Sequence, residues 1–284
     1  MSTFDAVLAQ YEKSKQATSG NANKVSQEDR LKKYFTTVLP KGSRGEERRI
    51  RILPTKDGGS PFVEVYFHEV QVDGKWLKLY DPKQEGKRSP LNEVYQSLME
   101  TGVESDRELA RQYRSRKFYI VKVIDRDHEE DGVKFWRFKH NSKSEGVLDK
   151  IFPIFKNKGD ITDVNKGRDL ILSLGLTKAG TGKEYTTINS VIPEDPGPLH
   201  ENADKASEWV NDELTWSDVY SKKGEDYLEL VANGETPKWS TESNKWISAS
   251  QLDSSSEETI AAPKKSTPVV DPQDDAEVDE DLPF

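Results

Sequence analysis

The 284-residue chain contains no cysteine. That excludes disulfides, thiolate nucleophiles and every cysteine-ligated zinc or iron–sulfur centre, and it fits a reducing compartment. Histidine is scarce. His68, His128, His140 and His200 form no HExxH or comparable ligand spacing, and no GxSxG is present. No run approaches 18 consecutive apolar residues, so no membrane span is expected. Met1–Gln16 lacks the basic-then-apolar order of a secretory signal. Two motifs fail on inspection. Asp125–Asp131 is acid-rich, but an EF-hand needs Gly at position six and Glu at twelve, and Gly132 and Trp136 fall eighth and twelfth. Gly180-Thr181-Gly182-Lys183 lacks the upstream Gly and the following Ser/Thr of a phosphate loop, where Thr177 and Glu184 stand. The expectation is a cytoplasmic, non-enzymatic protein with no cofactor, no metal and no membrane contact.

What the chain has is charge. Charged and hydrophobic residues each make up 33%, and the net charge is −9. That total hides a segregation. Residues 1–200 carry 35 Lys and Arg against 30 Asp and Glu, whereas residues 201–284 carry 7 against 21. A mildly basic body with an acidic extension reads as two differently charged modules.

Phe4, Val7, Leu8 and Tyr11 recur at helical spacing and predict a short helix before the polar linker Gln16–Gln27. From Arg48 onward the period becomes two. Strands are expected over 49–53, 62–72, 75–80, 117–124, 133–138, 169–174 and 185–191, with a two-residue hairpin at Asp73-Gly74. Helices are expected over 91–99 and 105–113, and around Val147, Leu148, Ile151 and Phe155, where Pro153 is tolerated or kinks the helix. The fold class is therefore mainly β with inserted helices (α+β), an OB-type barrel being the best match. Four segments follow: 1–29, helix and linker; 30–200, barrel core with an inserted subdomain; 201–233, a small acidic helical module; 234–284, a disordered linker and tail without sustained apolar period.

The strongest chemical signal is interleaving of cations with rings. Arg107, Arg111, Arg114, Arg116 and Lys117 alternate with Tyr113, Phe118 and Tyr119. Lys134-Phe135-Trp136-Arg137-Phe138-Lys139 repeats the mix on the next strand. Single-stranded nucleic acid needs both: cations track phosphates, and ring faces stack on unpaired bases. The competing reading is an ordinary amphipathic strand, with rings in the core and cations on a solvated face.

At these residues the chain resembles the helix-destabilising, single-stranded-DNA-binding proteins of tailed bacteriophages, which carry an OB fold with an inserted zinc subdomain. The resemblance spans about 30–200 and rests on Ile50-Arg51-Ile52-Leu53-Pro54, His68 through Gly74-Lys75-Trp76, Val133–Phe138 and Ile192-Pro193. It implies a DNA cleft on or beside Arg51, Arg111, Tyr113, Arg114, Trp136, Arg137 and Tyr185. With the interleaved set, the expected DNA-binding residues are these together with Arg107, Arg116, Lys117, Tyr119, Lys134 and Lys139. The family's zinc is held by one histidine and three cysteines. Here His68 remains, Ser89-Pro90-Leu91-Asn92 replaces the C-P-x-C step, and Asp81 stands near the third cysteine. No structural zinc is expected, and His68 becomes an ordinary hairpin residue. The family's basic N-terminal cooperativity motif is not visible in Met1–Gln16.

The last six residues, Asp279, Glu280, Asp281, Leu282, Pro283 and Phe284, resemble the acidic tip of bacterial single-stranded-DNA-binding proteins. Such a tip suits a basic-rimmed apolar pocket on a partner; the plainer reading is a solubilising tail. The function expected is sequence-independent binding of single-stranded DNA, protecting displaced strands and recruiting proteins of phage replication, recombination and repair in the host cytoplasm. The alternatives are an RNA-binding OB protein and an accessory or catalytic subunit of a metal-dependent nucleic-acid enzyme.

Overall fold

A computed structural model describes residues 32–141, 145–178, 182, 184–241 and 243–251. The expected helix at 4–11 and the acidic tip lie outside the described residues.

Ten strands and six α-helices follow in chain order among the described residues. They are β1 (Tyr34–Phe35), β2 (Gly45–Ile52), β3 (Val63–Val72), β4 (Lys75–Tyr80), α1 (Pro90–Glu100), α2 (Glu104–Tyr113), β5 (Ser115–Asp125), β6 (Val133–Lys139), α3 (Val147–Lys158), β7 (Gly167–Lys178), β8 (Glu184–Gly197), α4 (Ala203–Val210), α5 (Trp216–Val219), α6 (Glu225–Ala232), β9 (Pro237–Ser240) and β10 (Lys245–Ser248). The β3–β4 hairpin turns at Asp73 and Gly74, both at positive φ (50° and 75°), as a two-residue type I′ connection requires.

Strand β5 is the hub. One edge pairs along Phe118–Ile124 with β6. The other edge is shared, with β3 taking Ser115–Ile120 and β2 taking Val123–Asp125. The main path runs β1-β6-β5-β2-β7-β8. This sheet is not closed by backbone pairing, since β1 and β8 are its edges, so the expected closed barrel is not formed in that sense. Residues 33–39 occupy the seam instead. β1 lies parallel to β6, with Tyr34 opposite Phe135, and the Leu39 N–H donates to Thr186 Oγ1 on β8 at 3.2 Å. Arg48 holds the same segment by donating to the carbonyls of Thr36 and Val38. The edge position of β8 explains how it runs through Pro193 and Pro196, past the 185–191 strand read from the sequence: an edge strand tolerates a missing N–H.

Both faces of β5 are buried. Tyr119, Val121 and Val123 point into the main core with Ile50, Ile52, Trp136, Phe138, Leu170, Leu172 and helix α3. Phe118 and Ile120 point the other way, where Val65, Phe67, Phe135, Val219 and Tyr220 enclose them. Farther along that face, Ile124 and Val133 meet Leu199, Ala206 and Trp209. Residues 199–220 thus act as a lid on the sheet.

Four of the expected DNA-binding residues, Arg51, Tyr119, Lys134 and Trp136, are buried, and each is a correction. Trp136 is 0% exposed and packs on Phe35 and Phe138. Arg51 is 1% exposed. Its guanidinium donates to Asp169 at 3.0 Å and to the carbonyls of Asp163 and Gly197 at 2.9 Å. Arg126 donates to the same Asp169 carboxylate at 2.8 and 2.9 Å. Gly167 makes room for Arg51, because a Cβ there would lie 2.5 Å from the guanidinium and 2.4 Å from the Asp163 carbonyl. A second expectation also fails. Residues 237–248, read as disordered, form the β9–β10 hairpin against α6.

Trp136→Ala is expected to cost about 3–5 kcal/mol of folding stability, as for other buried ring truncations. Trp136→Phe costs less, since it retains the ring and removes an indole N–H that has no partner in the core. Chemical denaturation of the three proteins checks this; equal stabilities would contradict the packing described.

Candidate nucleic-acid interface

Residues opposite one another in an antiparallel pair share a face, and so do alternate residues of a strand. The registers therefore put one set of side chains together on the outer face of the sheet. Strand β4 contributes Trp76, Lys78 and Tyr80; β3 contributes Phe67 and Glu69; β5 contributes Arg116, Phe118 and Lys122; β6 contributes Phe135, Arg137 and Lys139. The interleaved cations and rings read from the sequence gather here, but half of the face is under the lid. Lys122 pairs with Asp212 at 3.1 Å, Tyr80 meets Trp216 with ring centroids 5.5 Å apart, and Tyr220 Oη donates to the Phe135 carbonyl at 3.2 Å.

Trp76, Lys78, Arg116, Arg137 and Lys139 remain half-exposed. The carboxylate among them is Glu69, which is buried. Arg116 and Lys139 both donate to its Oε2, at 2.7 and 2.6 Å, while Oε1 has no partner. Burial pushes the Lys139 ammonium down; Glu69 opposes this, and Arg116 and Lys78 add to the crowding. Arg116 and Lys139 set two positive charges against this one carboxylate, which is the electrostatic condition for an anion. Beside it, Tyr34, Phe67, Lys78, Arg137, Tyr220 and Lys223 line a cleft. The Arg137 guanidinium lies over the Tyr220 and Phe67 rings, 4.4 and 5.1 Å from their centroids. Cations flanked by rings can hold phosphates and stack bases.

Other expected residues sit elsewhere. Arg107, Arg111 and Arg114 fall at i, i+4 and i+7 along α2 and its end, on one exposed stripe. Glu104 lies 3.5 and 3.6 Å from Arg107 and Arg111, whereas Arg114 has no ion-pair partner among the described residues. Lys117 is on the opposite face of β5, paired with Glu64 at 3.2 Å. Tyr119 is core. Lys134 is buried between Asp125 and Asp131 at 3.0 and 2.9 Å, the same acids that suggested a metal loop. Burial alone would lower the Lys134 ammonium, but the two carboxylates outweigh it and hold it up. Tyr113 packs beside Val70 and Leu91, and Tyr185 is half-buried on β8. Sequence reasoning missed Trp76, Lys78, Tyr220 and Lys223. The alternation Trp76-Leu77-Lys78-Leu79-Tyr80 was the available signal for the first two.

His68 is not an ordinary hairpin residue. It is 0% exposed and its Nδ1 donates to the Tyr113 carbonyl at 2.7 Å. Its Nε2 lies 3.4 Å from both Asp81 Oδ1 and Ser89 Oγ. Burial pushes Asp81 up, but His68 and Ser89 outweigh it and hold the carboxyl well below its usual range. These donors do not fit the zinc of the resembling proteins. They offer one imidazole and one carboxylate, with a serine hydroxyl and an asparagine amide where the other two thiolates would stand. The positions instead form a hydrogen-bonded polar core that ties the ends of α1, α2 and β4 to β3.

Asp81→Asn is expected to cost about 3–5 kcal/mol, the usual loss on breaking a buried pair. A depressed carboxyl contributes stability above the unfolded carboxylate range, and that contribution is lost as pH falls below about 4. The variant therefore flattens the acid limb of stability against pH. Chelation of the wild-type protein leaves its thermal midpoint unchanged. Stoichiometric zinc, lost together with folding, would overturn this account.

No curated protein matches the chain. The family described as gp32 DNA binding protein like matches residues 45–233, which include β2 to β8, the lid and nearly all of the cationic patch and cleft. With well over half of its length inside that match, the chain belongs to the gp32-like DNA-binding protein family.

Proposed function

We infer that the protein binds single-stranded DNA without regard to sequence, on the half-exposed outer face around Lys78, Arg116, Arg137 and Lys139. The observation that carries this reading is the excess of cations over a single buried carboxylate, beside a ring-lined cleft. Membership of a DNA-binding family supports it. The exposed arginines of α2 extend the positive surface towards β5, since Arg114 is two residues from Arg116. In this reading β2, β5, β6, β7 and β8 are the strands of an OB-type barrel whose seam is filled by residues 33–39. The biological setting is phage DNA replication, recombination and repair. Stacking and phosphate contacts do not identify the sugar, so competition between matched DNA and RNA oligonucleotides decides between those ligands. Strand cleavage or joining in the presence of Mg²⁺ would favour the enzymatic alternative.

Arg116→Gln and Lys139→Gln are expected to weaken binding to all single strands alike. Each should reduce the salt slope by about 0.7 per lost phosphate contact. Each leaves the other cation on Glu69, which protects folding. Unchanged affinity and slope in both variants would remove this face from the interface.

The tail has a separate role in the same proposal. Residues 271–284 carry seven acids and no base, and end at Phe284. Tethered to the body, they compete with DNA at high effective concentration, and the tip recruits replication and repair proteins when displaced. Deleting 271–284 is expected to tighten binding at low salt, with the gain fading once screening shortens the Debye length below about 10 Å. Phe284→Ala keeps every acid and loses only the recruited partners. Unchanged low-salt affinity of the deletion, or intact pull-downs with Phe284→Ala, overturns the corresponding half.

A further inference from the structure

The β9–β10 hairpin lies beyond residue 233, where the family match ends. Its sequence repeats one dipeptide, Lys238-Trp239 and Lys245-Trp246. The register pairs Trp239 directly with Trp246, and the two rings meet edge to face with centroids 5.4 Å apart. Trp246 meets Tyr227 of α6 in the same manner at 4.9 Å. Three rings therefore stand in a row. Lys223 links this row to the cleft already described. Its ammonium lies 5.1 Å from the Tyr227 centroid and 5.4 Å from that of Trp246, and its side chain also lines the wall with Lys78 and Arg137.

The hairpin presents two exposed cations, Lys238 and Lys245, within an otherwise acidic segment. Of the acids of α6, Glu225 and Glu229 hold Arg88, and Asp226 ties the helix to the hairpin by accepting the Trp246 backbone N–H at 3.3 Å. Glu235 opens onto a separate hollow beside Val70 and Asp73. Strands of four residues give a hairpin little stability of its own, so Trp246 and Tyr227 serve as its anchor. Trp239 stands at the far end of the row, half-buried, with Trp246 as its ring neighbour among the described residues.

We propose that the β9–β10 hairpin is a second base-stacking platform for single-stranded DNA, continuous through Lys223 with the Lys78–Arg137 cleft. This rests on the single-stranded-DNA reading of that cleft and lengthens the site beyond the family domain. A strand leaving the cleft passes Lys223 and lays a base against Trp239, while Lys238 and Lys245 attract its phosphates.

The test uses the full chain and oligothymidylates of increasing length. Trp239→Ala is expected to weaken binding about tenfold on long oligomers, the loss of one stacked base, and to leave the shortest bound oligomers unaffected. Trp239→Phe retains a ring and stays within about twofold of wild type. Thermal midpoints report whether each variant folds. Photo-cross-linking of wild-type protein to iodouracil-substituted strands supplies a second reading that needs no variant, with adducts expected at Trp239 or Trp246. A folded Trp239→Ala protein with wild-type affinity at every length, or adducts confined to residues before 234, overturns the platform. Failure of the wild-type protein to bind single strands overturns the underlying reading instead.

Discussion

From Phe118 onward strand β5 is covered on both sides, and the rest of the molecule follows from that constraint. A strand with apolar residues on both sides needs two cores. The inner core comes from the sheet's own curvature and α3. The outer one has to be brought from elsewhere in the chain, and residues 199–220 supply it. That segment is rich in acids, yet Trp209, Trp216, Val219 and Tyr220 face the sheet. One of its acids faces the sheet too, where Asp212 pairs with Lys122.

The same constraint decides where DNA-binding chemistry can sit. Cations and rings are interleaved on β5 and β6 as the sequence indicates, but a ring on a doubly buried strand is core whichever way it points. Trp136 and Tyr119 face inward, and Phe118 and Phe135 lie beneath the lid. What is left at the surface is the end of the face that the lid does not reach, where Arg116, Lys139 and Lys78 crowd Glu69. The interface is thus defined as much by the cover's extent as by the residues on the strands.

Much of the fold was legible. Period-two alternation located β2 to β8, and Asp73-Gly74 fixed a hairpin, because turn chemistry and pleat are local properties. Helix α3 was found despite Pro153, which lies within its helical span. What was not legible depended on partners distant in sequence. Arg51 reads as a surface cation until Asp169, 118 residues away, is seen to hold it. His68 reads as a turn neighbour until Asp81 and Ser89 converge on it. The four-residue strands β9 and β10 carry too few apolar residues to show a period. Part of the binding site was legible through Arg116, Arg137 and Lys139, whereas Tyr220 and Lys223 belong to an acidic stretch that composition assigns to the opposite role.

Gly167 and Arg51 have a bearing on how such a chain can change over evolutionary time. The guanidinium fills the space where the Cβ of any residue at 167 would lie. A side chain at 167 cannot enter while the arginine stays, and the arginine, once lost, leaves Asp169 facing Arg126 alone and a void beside it. Losing the arginine would not release the glycine either, because the backbone carbonyls of Asp163 and Ile161 lie 2.4 and 2.6 Å from the same Cβ position. Glycine at 167 is thus the older commitment, set by the backbone, and the arginine fills room that the backbone has already reserved.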